Sequence, residues 1–582
     1  MDNKNQIATS QNPDLVTFTI KIDGNKLSAQ YAVVKIEVEK EVNRIPTATI
    51  WIEDGNPALE EFSASNSNNF VPGNEIQISA GYHSDEEVIF KGVIIKHSIK
   101  IRGGGSMLIV ECKDKIFRTS LQRNNKYYYE ANDSDVISEI LQNYSIESDV
   151  ENTNHEYKEL VQFSCTDWDF MVSRAQVNGK VVVSDDGKIT VCSPKVDGDV
   201  IETVVYGSTI MEMDAEIDAR YQSQEYSSVS WDPGDQDIIE VESSQAKIDL
   251  NGNISLEDLA NVSQVGNYKI RHGGKVSEEA LLDWINAKHA FRQLAKVRGR
   301  VSFQGIPIVK PNTLLKLKGV SDRFNGKLYV SGVRHVLSEG NWIVDAQFGL
   351  SPKWFVEEFT DINALPASGF LPSIQGLQIG IVTQIEDDPE GEERIMLKIP
   401  IINNNEQGIW ARLCLPDAGD NRGFVFRPEI GDEVIVGFIN DDPNQAVILG
   451  AVHSSAKPSH LAPTDDNYMK GILTKEGLNL SFDDEKKTIL IKTPNGNKIS
   501  LDEDSGSISI KDENNNVVEM NADGITLDGV GDVVIKASGD IKLEGTNIEL
   551  KANAEFKAEG SAGAEVSTSA IAVLKGSMVK IN

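Results

Sequence analysis

From about residue 476 the chain repeats one small pattern: apolar, any residue, apolar, then a turn rich in Gly, Asn or Asp. Successive cores are Leu478–Leu480, Ile489–Ile491, Ile499–Leu501, Ile508–Ile510, Ile525–Leu527, Val533–Ile535, Ile541–Leu543 and Ile548–Leu550. Val566, Ile571–Leu574 and Val579–Ile581 follow. The second apolar residue recurs at 527, 535, 543 and 550, a step of 8, 8 and 7. Turns such as Pro494-Asn495-Gly496 and Ser538-Gly539-Asp540 supply residues that tolerate positive φ. Such short strands make no core alone, and a single chain leaves open edges and a half-bare apolar face. Winding three identical chains into one prism removes both problems. The expectation is therefore a homotrimer in which each strand pairs with strands of neighbouring chains. Its axis is built from Ile489, Ile491, Ile499, Leu501, Ile508, Ile510, Ile525, Leu527, Val533, Ile535, Ile541, Leu543, Ile548 and Leu550. At about 4.8 Å per strand, some twelve strands give a rod of roughly 60 Å. The competing architecture is a monomeric parallel solenoid, which takes about 20 or more residues per coil and fits a step of eight poorly.

The last strand, Met578-Val579-Lys580-Ile581-Asn582, is presented three times at the tip of such a prism. Its outer edge has no further strand, so residues 576–582 read as a docking surface for a cap.

The whole chain is larger than one hydrophobic core supports, and 582 residues imply three or four domains. The net charge of −33 disfavours a phosphate backbone as partner. No run of 18 apolar residues is present, and Met1-Asp2-Asn3-Lys4-Asn5-Gln6 lacks the apolar segment of a secretory leader. The protein is expected to be cytoplasmic when made. Cys112, Cys165, Cys192 and Cys414 are scattered without a CxxC pair, and read as buried free thiols.

Residues 14–120 alternate as strands, and 1–125 read as a first β-barrel. Residues 126–200 form a small α/β part: Ser134 is placed to cap one helix and Thr166 a second, which Asn178-Gly179 ends. Residues 201–365 read as a second barrel with a long helix over 277–298, its first turn carrying Glu278 and Glu279. A repeat links the barrels. Val71-Pro72-Gly73, Ile76, Ile78, Phe90-Lys91-Gly92 and His97 match Lys310-Pro311-Asn312, Leu315, Leu317, Phe324-Asn325-Gly326 and His335. Both histidines read as barrel-wall residues rather than metal ligands. Residues 352–378 are linker-like, with 366–378 as the linker proper. Residues 379–455 contain five short apolar runs separated by turns, as in a small OB-type barrel. A connector, 456–475, leads to the needle, 476–582. The fold class is mainly β.

The segment 380–453 resembles the OB domain of phage tail spikes and VgrG proteins. The likeness is carried by Gly380-Ile381-Val382, Asp388-Pro389, Arg394 to Lys398, Trp410-Ala411-Arg412, Asp442-Pro443, Leu449-Gly450 and above all Phe426 to Phe438. The tail resembles the same family's prism, and 14–365 its hub, in which two barrels per chain give a pseudo-sixfold ring from three chains. The resemblance implies a structural spike of a contractile injection system, either type VI secretion, an extracellular injection particle or a phage tail. It also implies a hexameric Hcp-like tube protein at the hub, a PAAR-like protein on the tip, baseplate proteins and effector cargo. Contact with a target membrane is expected only during puncture.

Other readings fare worse. An OB-type nucleic-acid binder needs a basic groove with exposed aromatics, and this barrel segment is acidic. A spike carrying an envelope hydrolase needs a further compact domain, for which the chain has no room after Val452. Glu386-Asp387-Asp388 with Glu390, Glu392 and Glu393 reads as solvated acids on a turn. Asp249-Leu250-Asn251-Gly252-Asn253 begins like a calcium loop but has Ile254 and Ala260 where Gly and Glu are needed. No histidine follows His460, so no metal is expected in the tail; no nucleophile elbow or HExxH occurs, and no cofactor or catalytic residue is expected.

Overall fold

The computed structural model describes residues 15–248 and 250–581. The amino-terminal reading on Met1–Gln6, Asp249 of the calcium-like segment and Asn582 of the tip lie outside the described residues. The chain falls into two compact units: residues up to Gly376 together with Phe438–Gln445, and Leu377–Gly437 together with Ala446 onward.

The first unit is built on a thirteen-stranded sheet. The two copies of the repeat are two antiparallel meanders within it. One runs Glu75–Tyr82, Asp85–Arg102 and Gly105–Lys113; the other Thr313–Lys318, Gly326–Ser338 and Asn341–Phe348. Strand Gly326–Ser338 joins the halves by pairing with Ala32–Glu41. Each copy opens on a left-handed residue, Gly73 at φ 109° and Asn312 at φ 63°. The two residues make matching bonds, Gly73 N–H to Ile94 O and Asn312 N–H to Val330 O. Each copy then has a bulge, after Ile94 and after Val330. Aligned on these features, His97 falls opposite Val110 and His335 opposite Val344, two residues further along. The histidines are therefore not equivalent, which corrects the sequence alignment of the repeat. His97 bonds Ser65 Oγ and Phe70 O; His335 is buried beside Trp342. Alternate residues of both meanders, Ile78, Phe90, Val110, Val330, Val344 and Phe348 among them, fill one core.

The α/β part packs helices Asp133–Asn143 and Asp167–Val177 around a second core of Ile137, Leu141, Trp168, Met171, Val182 and Ile189. Thr166 caps the second helix as expected, but the first is capped by Asn132, whose side chain accepts from Asp135 N–H. The long helix spans Glu278–Leu294, shorter than 277–298, because Val297 already begins a strand against Ile210–Ile217. A helix at Leu256–Ser263 was not foreseen, although Ser255 and Asp258 at capping-box spacing mark its start. The linker-like reading of 352–378 is corrected in its first half: Phe355 and Ile362 are buried in the α/β core. The cysteines are free, but only Cys112 is buried and Cys414 is exposed.

A part-buried ion cluster around Lys40 ties the α/β part to the sheet. Lys40 Nζ, 4% exposed, lies 2.6 Å from Asp185 and 2.9 Å from Asp186, and Lys310 reaches Asp185 at 2.6 Å. Burial alone would raise the Asp185 carboxyl; the two ammonium groups outweigh it and hold the carboxyl below its usual range. Burial, then the positive charge of Lys40 and Lys310, pushes His335 down to about 3.

In the second unit, Gln378–Gln384, Ile395–Lys398, Ile409–Leu413, Ala446–Ala451 and Glu433–Phe438 close a five-stranded barrel. Its interior holds Val382, Leu397, Ala411, Val434, Val436 and Ile448, all at most 1% exposed. Gly380 is required there: a Cβ would sit 2.8 Å from Val436 and 3.0 Å from Leu397.

Candidate assembly interface

Beyond the barrel the chain stops burying anything. No described residue after Ile448 is buried. A stretch of this length without a core does not pay for its own ordering, and the tail explains how it is ordered.

Seven strands, from Met469–Leu473 to Gly524–Asp528, form one antiparallel meander. This corrects the expectation that each strand pairs with neighbouring chains: over 469–528 consecutive strands pair within the chain. The reason lies in the turns, which are short enough to return each strand onto its predecessor. Gly477, Gly496, Gly506 and Gly524 adopt positive φ, as do Lys487 and Asn515. Asp512 organises one turn by accepting from the N–H groups of Asn514 and Asn516 at 3.0 and 2.7 Å.

Residues directly opposite in an antiparallel pair share a face, so the register assembles two apolar columns. One is Phe482–Ile489–Leu501–Ile508–Met520–Ile525; the other is Ile472–Leu480–Ile491–Ile499–Ile510–Val518–Leu527. The opposite face carries Ser481, Leu490, Ser500, Ser509, Glu519 and Thr526 in its central column. One side of this sheet is thus almost purely aliphatic and the other mostly polar. The aliphatic side is uncovered: exposures run from 36% at Ile472 to 74% at Ile525, with only Leu480 and Val518 lower. At about 1.5–3 kcal/mol per fully buried side chain, covering this face is worth on the order of 10 kcal/mol gross per chain.

Eight of the residues expected at the needle axis, Ile489, Ile491, Ile499, Leu501, Ile508, Ile510, Ile525 and Leu527, are brought together on this face. Leu478 is not: it precedes its strand, and the pair in register is Leu480 with Phe482. Ile472, Phe482, Val518 and Met520 were missed, though Val518-Glu519-Met520 carries the same alternation. The single chain does not bring the rest together. Val533, Ile535, Ile541, Leu543, Ile548 and Leu550 are 52–68% exposed in a segment without strand pairing, and Met578, Val579, Lys580 and Ile581 are likewise exposed. Among the described residues this segment pairs with no other part of the chain.

The barrel adds an ordered turn where solvated acids were expected. Asp388 accepts from the N–H groups of Glu390, Glu392 and Arg394 and is gripped by the Arg394 guanidinium at 2.6 Å. The Arg394 side chain first, and those N–H groups, hold the Asp388 carboxyl well below the usual carboxylate range. Nearby, the rings of Phe424 and Phe426 lie 4.7 Å apart, tilted by 30°, and are exposed, as are Val425 and Ile430. No group of three or more His, Cys, Asp or Glu side chains suited to a metal occurs among the described residues. No helix among them is long and apolar enough to cross a membrane.

Comparison with known proteins places these parts. Residues 12–339, more than half of the chain, match the family model of the Alg8 N-terminal domain. Residues 378–453 match the type VI secretion system/phage-baseplate injector OB domain. The chain is similar to the actin cross-linking toxin VgrG1 of Vibrio cholerae, 36% identical over 132 residues, covering 20% of this chain and 12% of that protein. It is also similar to the type VI secretion system spike protein VgrG1b of Pseudomonas aeruginosa, 28% identical over 220 residues, covering 34% of this chain and 28% of that protein. The chain thus spans only a minor part of the curated relatives it matches. Among solved structures, the 43 kDa tail protein of prophage MuSo2 from Shewanella oneidensis aligns with 9% identity and a TM-score of 0.43, covering 58% of this chain and 98% of that one. The E. coli type VI secretion component c3393 aligns with 11% identity and a TM-score of 0.37, covering 74% and 99%.

Proposed function

The chain belongs to the Alg8 N-terminal-domain family and carries a type VI secretion system/phage-baseplate injector OB domain over 378–453, and from that premise we propose that it is the trimeric, non-enzymatic spike of a contractile injection apparatus. The observation that carries this reading is the uncovered aliphatic face of the tail sheet. Three such sheets, turned inward around one axis, bury all three faces against each other. The segment 529–581, which finds no pairing in one chain, then winds with its two counterparts, and Val533, Ile535, Ile541, Leu543, Ile548 and Leu550 continue the same apolar axis.

Mechanically, such a rod suits puncture, because load along the axis is carried by three chains that unfold only together. The first unit serves as the hub on a hexameric tube protein, and the OB barrel as a collar at the base of the needle. A PAAR-like cap docks on the segment around Met578, Val579, Lys580 and Ile581. Baseplate proteins hold the spike before firing, and effector cargo rides on it. The protein is made in the cytoplasm, assembled into the particle and carried out on contraction, meeting the target membrane only then. Negative-stain electron microscopy of the purified chain tests the reading. Threefold particles with a thin rod at one end are expected; compact particles without a rod overturn it.

A further inference from the structure

The outward face of the tail sheet is not uniformly polar, and its two margins differ in charge. The strands turn back at alternate margins. One margin carries Lys492, Lys498 and Lys511, which stand directly opposite one another in consecutive strands, with Asp512, Glu513 and Asp528 further along it. Like charges directly opposite in a sheet are destabilising, and strands are only about 4.8 Å apart. Within the chain these three ammonium groups have no acidic partner among the described residues. The other margin carries Asp483, Asp484, Glu485, Asp502, Glu503 and Asp504. Of these, Asp484 is taken by Lys470, and Glu503 lies 3.6 Å from Lys487. Asp483 and Asp502 turn inward to cap backbone N–H groups of their own turns. The rest of the margin faces solvent with surplus negative charge.

A lysine ladder on one margin and acidic turns on the other, flanking an apolar face, complement a second copy of the same sheet. If the apolar faces meet around an axis, the lysine margin of each sheet comes alongside the acidic margin of the next. We propose that the Lys492–Lys498–Lys511 ladder docks against the acidic turns 483–485 and 502–504 of a second copy of this chain. This pairing rests on the trimeric reading above and deepens it. The apolar face supplies the affinity, whereas the margins fix which edges meet and at what height along the needle. The like-charge ladder, a cost in one chain, becomes a device that the correct neighbour relieves.

The test is thermal melting of the purified full-length chain from low to high sodium chloride, with the mass followed by light scattering. Attraction between margins is screened by salt, so the wild-type trimer is expected to melt lower as salt rises. The triple variant Lys492→Glu, Lys498→Glu, Lys511→Glu sets acids against acids. It is expected to melt lower than wild type at low salt and to gain stability as salt rises. A second variant adds Glu485→Lys, Glu503→Lys and Asp504→Lys, none of which caps a backbone N–H. It restores opposite margins with the signs exchanged, and the wild-type salt response is expected to return. A wild-type mass of one chain overturns the trimer itself. A three-chain mass with the same salt response in wild type and triple variant overturns the margin pairing alone.

Discussion

Ile499 sits near the middle of the apolar face, between Ile491 and Ile510 in its column, and is 39% exposed in the single chain. Replacing it with Asp separates two situations sharply. On an open sheet the side chain faces water, so the change costs about 1 kcal/mol of strand preference. At the axis of a trimer the remaining exposed fraction of Ile499 is buried, and its loss removes about 1 kcal/mol per chain. Far more comes from the carboxylate, since burying an unpaired charge costs several kcal/mol per ion. Three symmetry-related copies bring the total above roughly 10 kcal/mol, comparable with the whole stability of a typical domain. Part of that cost is avoided by protonation, so the variant should recover some trimer in acid. Ser500→Asp, one residue along on the opposite face, is the control. Light scattering and thermal melting at neutral pH should show Ile499→Asp without a three-chain species and Ser500→Asp close to wild type. Equal mass and equal melting of the two variants would refute the inward orientation of this face.

Three further outcomes are expected. Gly380→Val puts methyl groups against Val436 and Leu397 inside the closed barrel. It should cost about 1–3 kcal/mol of barrel stability, measured by denaturant unfolding of the full chain. Asp388→Asn weakens the grip on Arg394 and should lower the barrel's melting temperature at pH 7. Because the folded carboxyl is depressed, its contribution is present above the ordinary Asp range and lost as pH falls toward the folded value, so variant and wild type should converge in acid. His335 is held neutral down to about pH 3, so the unfolded chain binds the extra proton as pH drops below about 6.5. Wild type should lose stability on acidification by an amount on the order of 3–5 kcal/mol, and His335→Gln should flatten that slope in a pH series of melting curves.

What was legible in the sequence was whatever depends on local pattern. Alternation marked the five barrel strands within about two residues, and the apolar-x-apolar cores fell on one face because a strand's side-chain period is two. The cap at Thr166 was readable for the same reason: one side chain satisfies a backbone N–H three residues on. Pairing partners were not legible. Nothing in Ile489 or Ile499 says whether the next strand belongs to the same chain; the tight turns at Gly496 and Gly506 decide it. Long-range electrostatics were equally hidden. Lys40 and Asp185 are far apart in sequence, and Asp388 reads as one more acid in an acidic turn until Arg394 folds back onto it. Phe355 and Ile362 were lost among prolines and glycines, although their burial makes them part of the α/β core.

The account stands most directly on the number of chains in the particle. Light scattering of the full-length protein in solution at micromolar concentration should give three times the 63.9 kDa chain mass, independent of dilution across that range. A stable species of one chain mass, with the aliphatic face of 469–528 left in water, would contradict it.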